Sequence, residues 1–161
     1  MNFIENNLAL VLTAIGVIIV ERIVKFYVTE NLRLGESVPV LGEVVRITRS
    51  QNLGGGFGVL QGQNWIFIAA AVVVLGMIIY YYNSIIYDMV LVFASALMLG
   101  GTVGNLMDRI FFGHVIDYID FAFWPTFNLS DVALSAGVVL LIVHMYRWQK
   151  EPEKERTYVH Y

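Results

Sequence analysis

The stretch Met89-Val-Leu-Val-Phe-Ala-Ser-Ala-Leu-Met-Leu-Gly-Gly-Thr-Val-Gly-Asn-Leu-Met107 contains no charged residue. A helix needs about 20 largely apolar residues to cross the hydrocarbon core of a bilayer. The apolar region around this stretch, about 87–110, reaches that length, and similar regions occur at about 6–27, 65–82 and 128–147. The sequence therefore predicts four transmembrane helices in a single integral membrane domain, residues 1–161.

The composition favours the same class of protein. Hydrophobic residues make up 58% of the chain and charged residues only 14%, whereas about a quarter of the residues in a soluble domain are charged. The net charge of −3 provides no basic surface for nucleic acid. The absence of cysteine excludes disulfides, thiolate metal sites and a cysteine nucleophile. Met1–Asn7 lacks Lys and Arg, which indicates a retained anchor rather than a removed signal peptide.

The segment at about 28–64 is too polar and too rich in glycine to cross a membrane. Alternating residues in Glu43-Val-Val-Arg-Ile-Thr-Arg49 predict a strand, and Asn52-Leu-Gly-Gly-Gly-Phe-Gly58 predicts a closely packed turn. We therefore expect an all-α membrane protein that carries a small β-structured lobe between its first and second helices.

The distribution of basic residues predicts the orientation in the membrane. The positive-inside rule places the basic tail in the cytoplasm, and an even number of spans brings the N-terminus to the same side. The basic residues of the first loop count against this orientation and leave a small margin. If the orientation holds, the lobe is extracytoplasmic and residues 111–127 lie on the same outer side. The tail contains Arg147, Lys150, Lys154 and Arg156, and the loop contains Arg33, Arg46 and Arg49.

Two carboxylates, Asp117 and Asp131, lie beside apolar stretches. An ionised carboxylate at the centre of a membrane helix costs at least about 2.5 to 3.5 kcal/mol, so such residues usually have a function. The segment ending in Trp124-Pro-Thr-Phe127 can fold back and bring the two together, where they would share a proton. One could then activate water while the other protonates a peptide carbonyl oxygen. Asp131 could equally cap the fourth helix, as could Asn128 and Ser130.

His114, Asp117 and Asp120 are spaced three apart, so on a helix they would share one side and could offer three metal ligands. Metal sites need more oriented ligands and a second shell, so we expect neither a metal nor a cofactor. No P-loop, nucleophile-serine elbow or His-Glu-x-x-His pattern occurs.

Two further pairs of charges have both a functional and a structural interpretation. Asp108 and Arg109 end the third apolar stretch, with Asn105 one turn earlier. Arg109 could keep a carboxylate ionised, or the pair could simply be an interfacial ion pair at the end of a helix. Glu21 and Lys25 form an i, i+4 pair that could support a site or snorkel to the outer boundary of the membrane.

Four short motifs resemble the successive conserved boxes of the lipoprotein signal peptidases, or signal peptidase II, a family of four-span bacterial membrane aspartyl peptidases. Each motif alone would be a weak signal, but four in the right order are a strong one. The motifs are Asn52-x-Gly54 followed by Phe57, Gly104-Asn105-x-x-Asp108-Arg109, Val115-Ile-Asp117-Tyr118, and Phe127-Asn128-x-x-Asp131.

This resemblance implies that Asp117 and Asp131 are the catalytic pair. It also implies a location in the bacterial cytoplasmic (inner) membrane, with the active site towards the outer face. The substrate would be a prolipoprotein whose cysteine carries a diacylglyceryl group, cut just before that cysteine. Membrane lipid and inhibitors of the globomycin type would be further ligands. The supporting residues implied by the resemblance are Asn52, Gly54, Asn105, Asp108, Arg109, Asn128, Glu21 and Lys25.

The chain departs from the family pattern in two places. The first-helix box usually reads Asp-x-x-Thr-Lys or Asp-x-x-Ser-Lys, but here Glu21 replaces the aspartate and Val24 replaces the hydroxyl residue. Gly55 and Gly56 stand where alanines are common.

The competing hypothesis is a non-enzymatic four-helix membrane protein, such as a proton-coupled carrier, in which the same aspartates relay protons. Carriers more often contain paired repeats and broken helices near the midplane. Neither feature is visible in the sequence.

Overall fold

The computed structural model describes residues 2–42, 44–55 and 60–150. Glu43 and the Gly56–Val59 part of the predicted turn, including Phe57, lie outside these residues, as do Lys154 and Arg156 of the tail. Helices and strands follow in the order α1 (Phe3–Asn31), β1 (Ser37–Leu41), β2 (Val45–Asn52), α2 (Asn64–Tyr80), α3 (Tyr82–Ile85), α4 (Met89–Phe111), β3 (Val115–Phe121), β4 (Trp124–Phe127) and α5 (Leu129–Lys150).

Among the described residues, three helices, α1, α4 and α5, are long and apolar enough to cross a membrane, with 29, 23 and 22 residues. They correspond to three of the four predicted spans. The helix α2 is apolar throughout but has 17 residues, which is shorter than the roughly 20 that a spanning helix needs. The span predicted at 65–82, which corresponds to α2, therefore stays a prediction.

The centre of the bundle is α4, which contacts α1, α2 and α5. Half of its most apolar segment is buried, compared with 17% for α1 and α5. Glycines allow this close approach, because a Cβ atom on Gly100 would lie 2.8 Å from Cβ of Val17 in α1. A Cβ atom on Gly101 would lie 2.9 Å from the backbone nitrogen of Leu134 in α5. Small residues at helix contacts are typical of membrane bundles.

The four strands form one antiparallel sheet in the order β1-β2-β3-β4. The predicted strand at 43–49 corresponds to β2. The lobe expected between the first two helices is only half of this sheet, because β3 and β4 come from the segment between α4 and α5. The pairing places Ser50 opposite Asp117 and Ile47 opposite Ile119. We call the end of the bundle beside the sheet the sheet end, and the other end the far end.

Polar residues also hold the far end together. Asn6 Nδ2 donates to the carbonyl oxygen of Ile86 at 2.7 Å, and Tyr82 donates from its hydroxyl to Asn7 Oδ1. Asp88 caps α4 by accepting from the backbone of its first turn, and α3 provides a single helical turn in the short connection predicted at 83–87.

Candidate active site

Asp117 and Asp131 meet at one residue, Asn128. Asn128 Nδ2 donates to Asp117 Oδ1 at 2.7 Å, and the backbone N–H of Asn128 donates to Asp131 Oδ2 at 3.2 Å. Asp117 comes from β3 and Asp131 from the first turn of α5. The hairpin of β3 and β4 reverses the chain between them, as the segment 124–127 had indicated.

Asp131 also caps its helix. Asn128 Oδ1 accepts from the backbone N–H of Asp131 at 2.9 Å, so the two residues form a reciprocal capping box at the start of α5. This arrangement uses only one carboxylate oxygen of Asp131. The other, Oδ1, accepts from Asn105 Nδ2 at 2.7 Å, so the capping interpretation is correct and still leaves the carboxylate linked to the rest of the site.

The carboxyl group of Asp117 is 1% exposed. Burial, together with the negative charge of Asp131, raises its pKa from 3.8 to about 7, although hydrogen bonds from Asn52 and Asn128 lower it. The bond from Asn52 Nδ2 to Asp117 Oδ2 is 2.9 Å long, and Asn52 Oδ1 accepts from the backbone N–H of Gly54. At neutral pH, Asp117 is therefore poised to carry a proton.

A buried ion cluster lies between α1 and α4. Lys25 Nζ contacts Glu21 Oε1 and Asp108 Oδ2, both at 2.7 Å, and Arg22 Nη2 contacts Asp108 Oδ1 at 2.7 Å. Glu21 and Asp108 are 0% exposed and Lys25 is 2% exposed. Snorkelling of Glu21 and Lys25 to the membrane boundary was therefore a wrong interpretation, because the closely packed helices bury these charges against one another.

The interfacial pair of Asp108 and Arg109 was also wrong. Arg109 Nη2 donates instead to the carbonyl oxygen of Gly54 at 3.0 Å, and its guanidinium lies 4.6 Å from the ring centre of Phe67. Nη1 of Arg109 is buried and has no hydrogen-bond partner within the described part of the chain. This nitrogen is a donor that a bound ligand could use.

Asn105 connects the ion cluster to the aspartates. Its Oδ1 accepts from Lys25 Nζ at 3.2 Å and from Asn128 Nδ2 at 3.0 Å, while its Nδ2 donates to Asp131. All eight supporting residues expected from the sequence therefore lie in one hydrogen-bonded region. His114, Asp117 and Asp120 lie on or beside the strand β3, not on a helix, and the described residues contain no group of three acidic, His or Cys side chains suited to a metal.

A cleft of about 410 Å³ opens beside Asp131, between α2, α4 and α5. Its walls are largely apolar, and most of its polar groups come from residues of the site. The apolar wall includes Phe67, Ala70, Val74, Leu106, Trp124, Phe127 and Leu134, and the polar side chains are those of Asn52, Asn105, Arg109 and Asp131, with Thr102 and Thr126.

Sequence reasoning missed two members of the network. Arg22 contacts Asp108, as described, and donates to the carbonyl oxygen of Gly104 at 2.9 Å. Tyr118 donates from its hydroxyl to Glu21 Oε2 at 2.7 Å. Tyr118 belongs to one of the motifs, and its position next to Asp117 was the available signal. Burial and the nearby Glu21 raise the pKa of Tyr118, so its hydroxyl stays protonated.

Two linked carboxylates beside a largely apolar cleft, in a bundle of apolar helices, are compatible with a membrane peptidase, and comparison with known proteins supports this class. The sequence profile of the family described as Signal peptidase (SPase) II matches residues 13–147. The chain belongs to this family and is an integral membrane protein, which confirms the resemblance and supports a peptidase over a carrier.

Individual relatives cover nearly the whole chain. A lipoprotein signal peptidase of Halothermothrix orenii is 41% identical, over 84% of this chain and 92% of the relative. One from Halalkalibacterium halodurans is 37% identical, over 91% and 97%. A bacterial membrane enzyme structure solved by the in meso method at 2.3 Å resolution matches with a TM-score of 0.84 and 27% identity, over 89% of this chain and 92% of that chain.

Proposed function

We propose that this protein is an aspartic endopeptidase in which Asp117 and Asp131 act together without a covalent intermediate. The observation that carries the proposal is the bridge through Asn128, which donates to both carboxylates. A helix cap needs only one carboxylate, so capping does not account for the second, fully buried one. Two linked carboxylates of which one holds a proton are the arrangement that general acid/base hydrolysis requires.

The pKa of about 7 makes Asp117 the proton carrier at neutral pH. Asp131, which lines the cleft, removes a proton from water as the water oxygen bonds to the peptide carbonyl carbon. Asp117 gives its proton to the carbonyl oxygen. When the C–N bond breaks, the proton on Asp131 passes to the leaving nitrogen and the new hydroxyl returns a proton to Asp117. General acid/base assistance of this kind contributes about 10² to 10⁴ in rate.

Arg109 and the cleft account for substrate binding. Within the described residues, the buried Nη1 of Arg109 has no hydrogen-bond partner, and it can donate to a carbonyl oxygen of a peptide lying in the cleft. An ordered donor aimed at the reacting region stabilises developing charge. The apolar walls of the cleft suit a lipid-modified segment better than a polar peptide.

The names of the relatives, lipoprotein signal peptidases, support a proposal for the substrate class. We infer that this chain removes signal peptides from bacterial prolipoproteins that carry a diacylglyceryl group on cysteine, and that it cuts before that cysteine. Incubation of the purified protein in detergent with such a prolipoprotein should release the mature fragment. The same prolipoprotein with cysteine replaced by serine, which cannot be lipidated, should stay uncut. Equal cleavage of both would contradict the proposed substrate class.

We further infer that α2 crosses the membrane together with α1, α4 and α5. The membrane is the bacterial cytoplasmic membrane, and the sheet lies on its outer side. The native chain has no cysteine, so single cysteines report without interference. Gln63→Cys, at the sheet end before α2, should react with an impermeant thiol reagent added to intact cells. Lys154→Cys should react only after the cells are opened. Labelling of Lys154→Cys in intact cells would contradict this orientation.

A further inference from the structure

The two residues that flank Asp117 are both fastened to the buried ion cluster. The backbone N–H of Ile116 donates to Asp108 Oδ2 at 3.1 Å, and the hydroxyl of Tyr118 donates to Glu21 Oε2 at 2.7 Å. Asp108 and Glu21 are themselves joined by Lys25. The strand position of Asp117 is therefore fixed from both sides by α1 and α4.

The same tyrosine hydroxyl also reaches the second aspartate's helix. It accepts a hydrogen bond from the backbone N–H of Leu129 at 3.1 Å, and Leu129 is the first residue of α5. This N–H belongs to the turn that carries Asn128 and Asp131. Tyr118 is only 3% exposed, so water cannot easily replace these bonds, and a buried group left without its partner is costly.

We propose that Tyr118 is a positioning residue that sets the distance between the two aspartates by joining Glu21 of α1 to the start of α5. This inference rests on the proposed function of Asp117 and Asp131. Tyr118 contacts neither substrate nor water in the reaction. It acts through Glu21 on one side and Leu129 on the other.

The departure from the family at Glu21 fits this role. A glutamate is one methylene longer than the usual aspartate, and here its two oxygens serve different partners, Lys25 Nζ and Tyr118. A shorter carboxylate that keeps its pairing with Lys25 would withdraw from the tyrosine hydroxyl. The length of the Glu21 side chain therefore suits the position of the Tyr118 hydroxyl in this chain.

The test is a double-mutant cycle of Tyr118→Phe and Glu21→Asp, with cleavage of a diacylglyceryl prolipoprotein as the readout. Tyr118→Phe should lower kcat about tenfold and leave KM within about twofold, because misplacing reacting groups affects the chemical step. In the Glu21→Asp background the same substitution should change kcat by less than about twofold, since coupled residues are not additive. Tyr82→Phe is the matched control, because it removes a tyrosine hydroxyl at the far end, and its kcat should be unchanged.

An unchanged kcat in Tyr118→Phe would overturn the inference, as would an equal loss in both backgrounds. A rise in KM alone would also overturn it, because it would place Tyr118 in substrate binding. If Tyr118→Phe does not fold, the Glu21→Asp variant alone tests the inference, and its kcat should be lower than that of the wild type. A wild-type kcat in Glu21→Asp would contradict the positioning role of Tyr118. Failure of the proposed function is a separate result, since it would leave Asp117→Asn active whatever Tyr118 does.

Discussion

The sheet end and the far end of the bundle both have an aspartate at the start of a helix, but its surroundings differ. At the far end, Asp88 accepts from the backbone N–H groups of Val90 and Leu91. Its Oδ2 lies 3.5 Å from Nε2 of His144, and the side chains of Asp88 and His144 are both partly exposed. At the sheet end, Asp131 caps α5 and is also linked to a second, buried carboxylate. At the far end Asp88 serves as a helix cap with one partly exposed neighbour, whereas Asp131 is coupled to a second, buried carboxylate. This buried second carboxylate distinguishes the candidate site from an ordinary helix cap.

The largest difference in cleavage rate should come from replacing each of the two capping aspartates separately by asparagine. Asp131→Asn should reduce cleavage by about 10² to 10⁴, because it removes the group that activates water. Asp88→Asn makes the same chemical change in a helix cap at the far end and should retain nearly wild-type cleavage. Both rates are measured with the diacylglyceryl prolipoprotein, after confirming that each variant folds in detergent. Substantial turnover by Asp131→Asn would remove this residue from the mechanism.

Removing one partner of a side-chain contact should cost more stability in the buried cluster at the sheet end than at the partly exposed contact of the far end. Glu21→Gln should lower the free energy of unfolding by about 3 to 5 kcal/mol, because Lys25 then keeps only Asp108 and the cluster holds one carboxylate against two cations. Glu21→Asp keeps the charge and should cost less. At the far end His144→Gln should cost at most about 1 kcal/mol, since its pair with Asp88 is partly exposed. Unfolding in detergent measures all three, and wild-type stability in Glu21→Gln would mean that the cluster is not needed.

A smaller difference in stability should distinguish a glycine at a tight helix contact from a glycine with open space around it. Gly101→Ala forces a methyl group against the backbone of α5 and should destabilise the protein by about 1 to 3 kcal/mol, as overpacking usually does. Gly76 in α2 has no atom within 4 Å of its added Cβ position. Gly76→Ala should be neutral or stabilise by up to about 1 kcal/mol, because alanine favours helix. Equal effects in thermal unfolding would mean that α4 and α5 do not pack as closely as described.

Local patterns predicted much of the fold and the site. The long uncharged run at 89–107 is sufficient to predict α4, since a spanning helix depends on composition and length. The four ordered motifs, together with the charge pair in the first helix, predicted side chains that the structure brings into one hydrogen-bonded region, and their roles in catalysis stay a proposal. The strand β2 was predicted from alternation alone.

Contacts between distant segments were harder to predict. The alternating residues of β2 do not indicate which strand pairs with it. Its pairing with β3, which places Ser50 opposite Asp117, joins two segments that are far apart in the sequence. The adjacent residues Asp108 and Arg109 were treated as a pair, although neighbours on a helix do not face each other. The structure instead joins Asp108 to Lys25 on another helix. The hydrogen bond from Tyr118 to Glu21 likewise joins β3 to α1, and no local pattern in the sequence contains it.

The pH dependence of kcat/KM tests the central claim most directly, because it reports whether one aspartate must hold a proton. The pKa of Asp117 is raised to about 7, so the protonated acid is present below that pH and is lost as the pH rises through it. We predict that kcat/KM falls above pH about 7 and that Asp120→Asn, a change on the same strand, keeps this descending limb. A rate that stays constant or rises from pH 7 to about 9 would contradict a proton-sharing pair of aspartates.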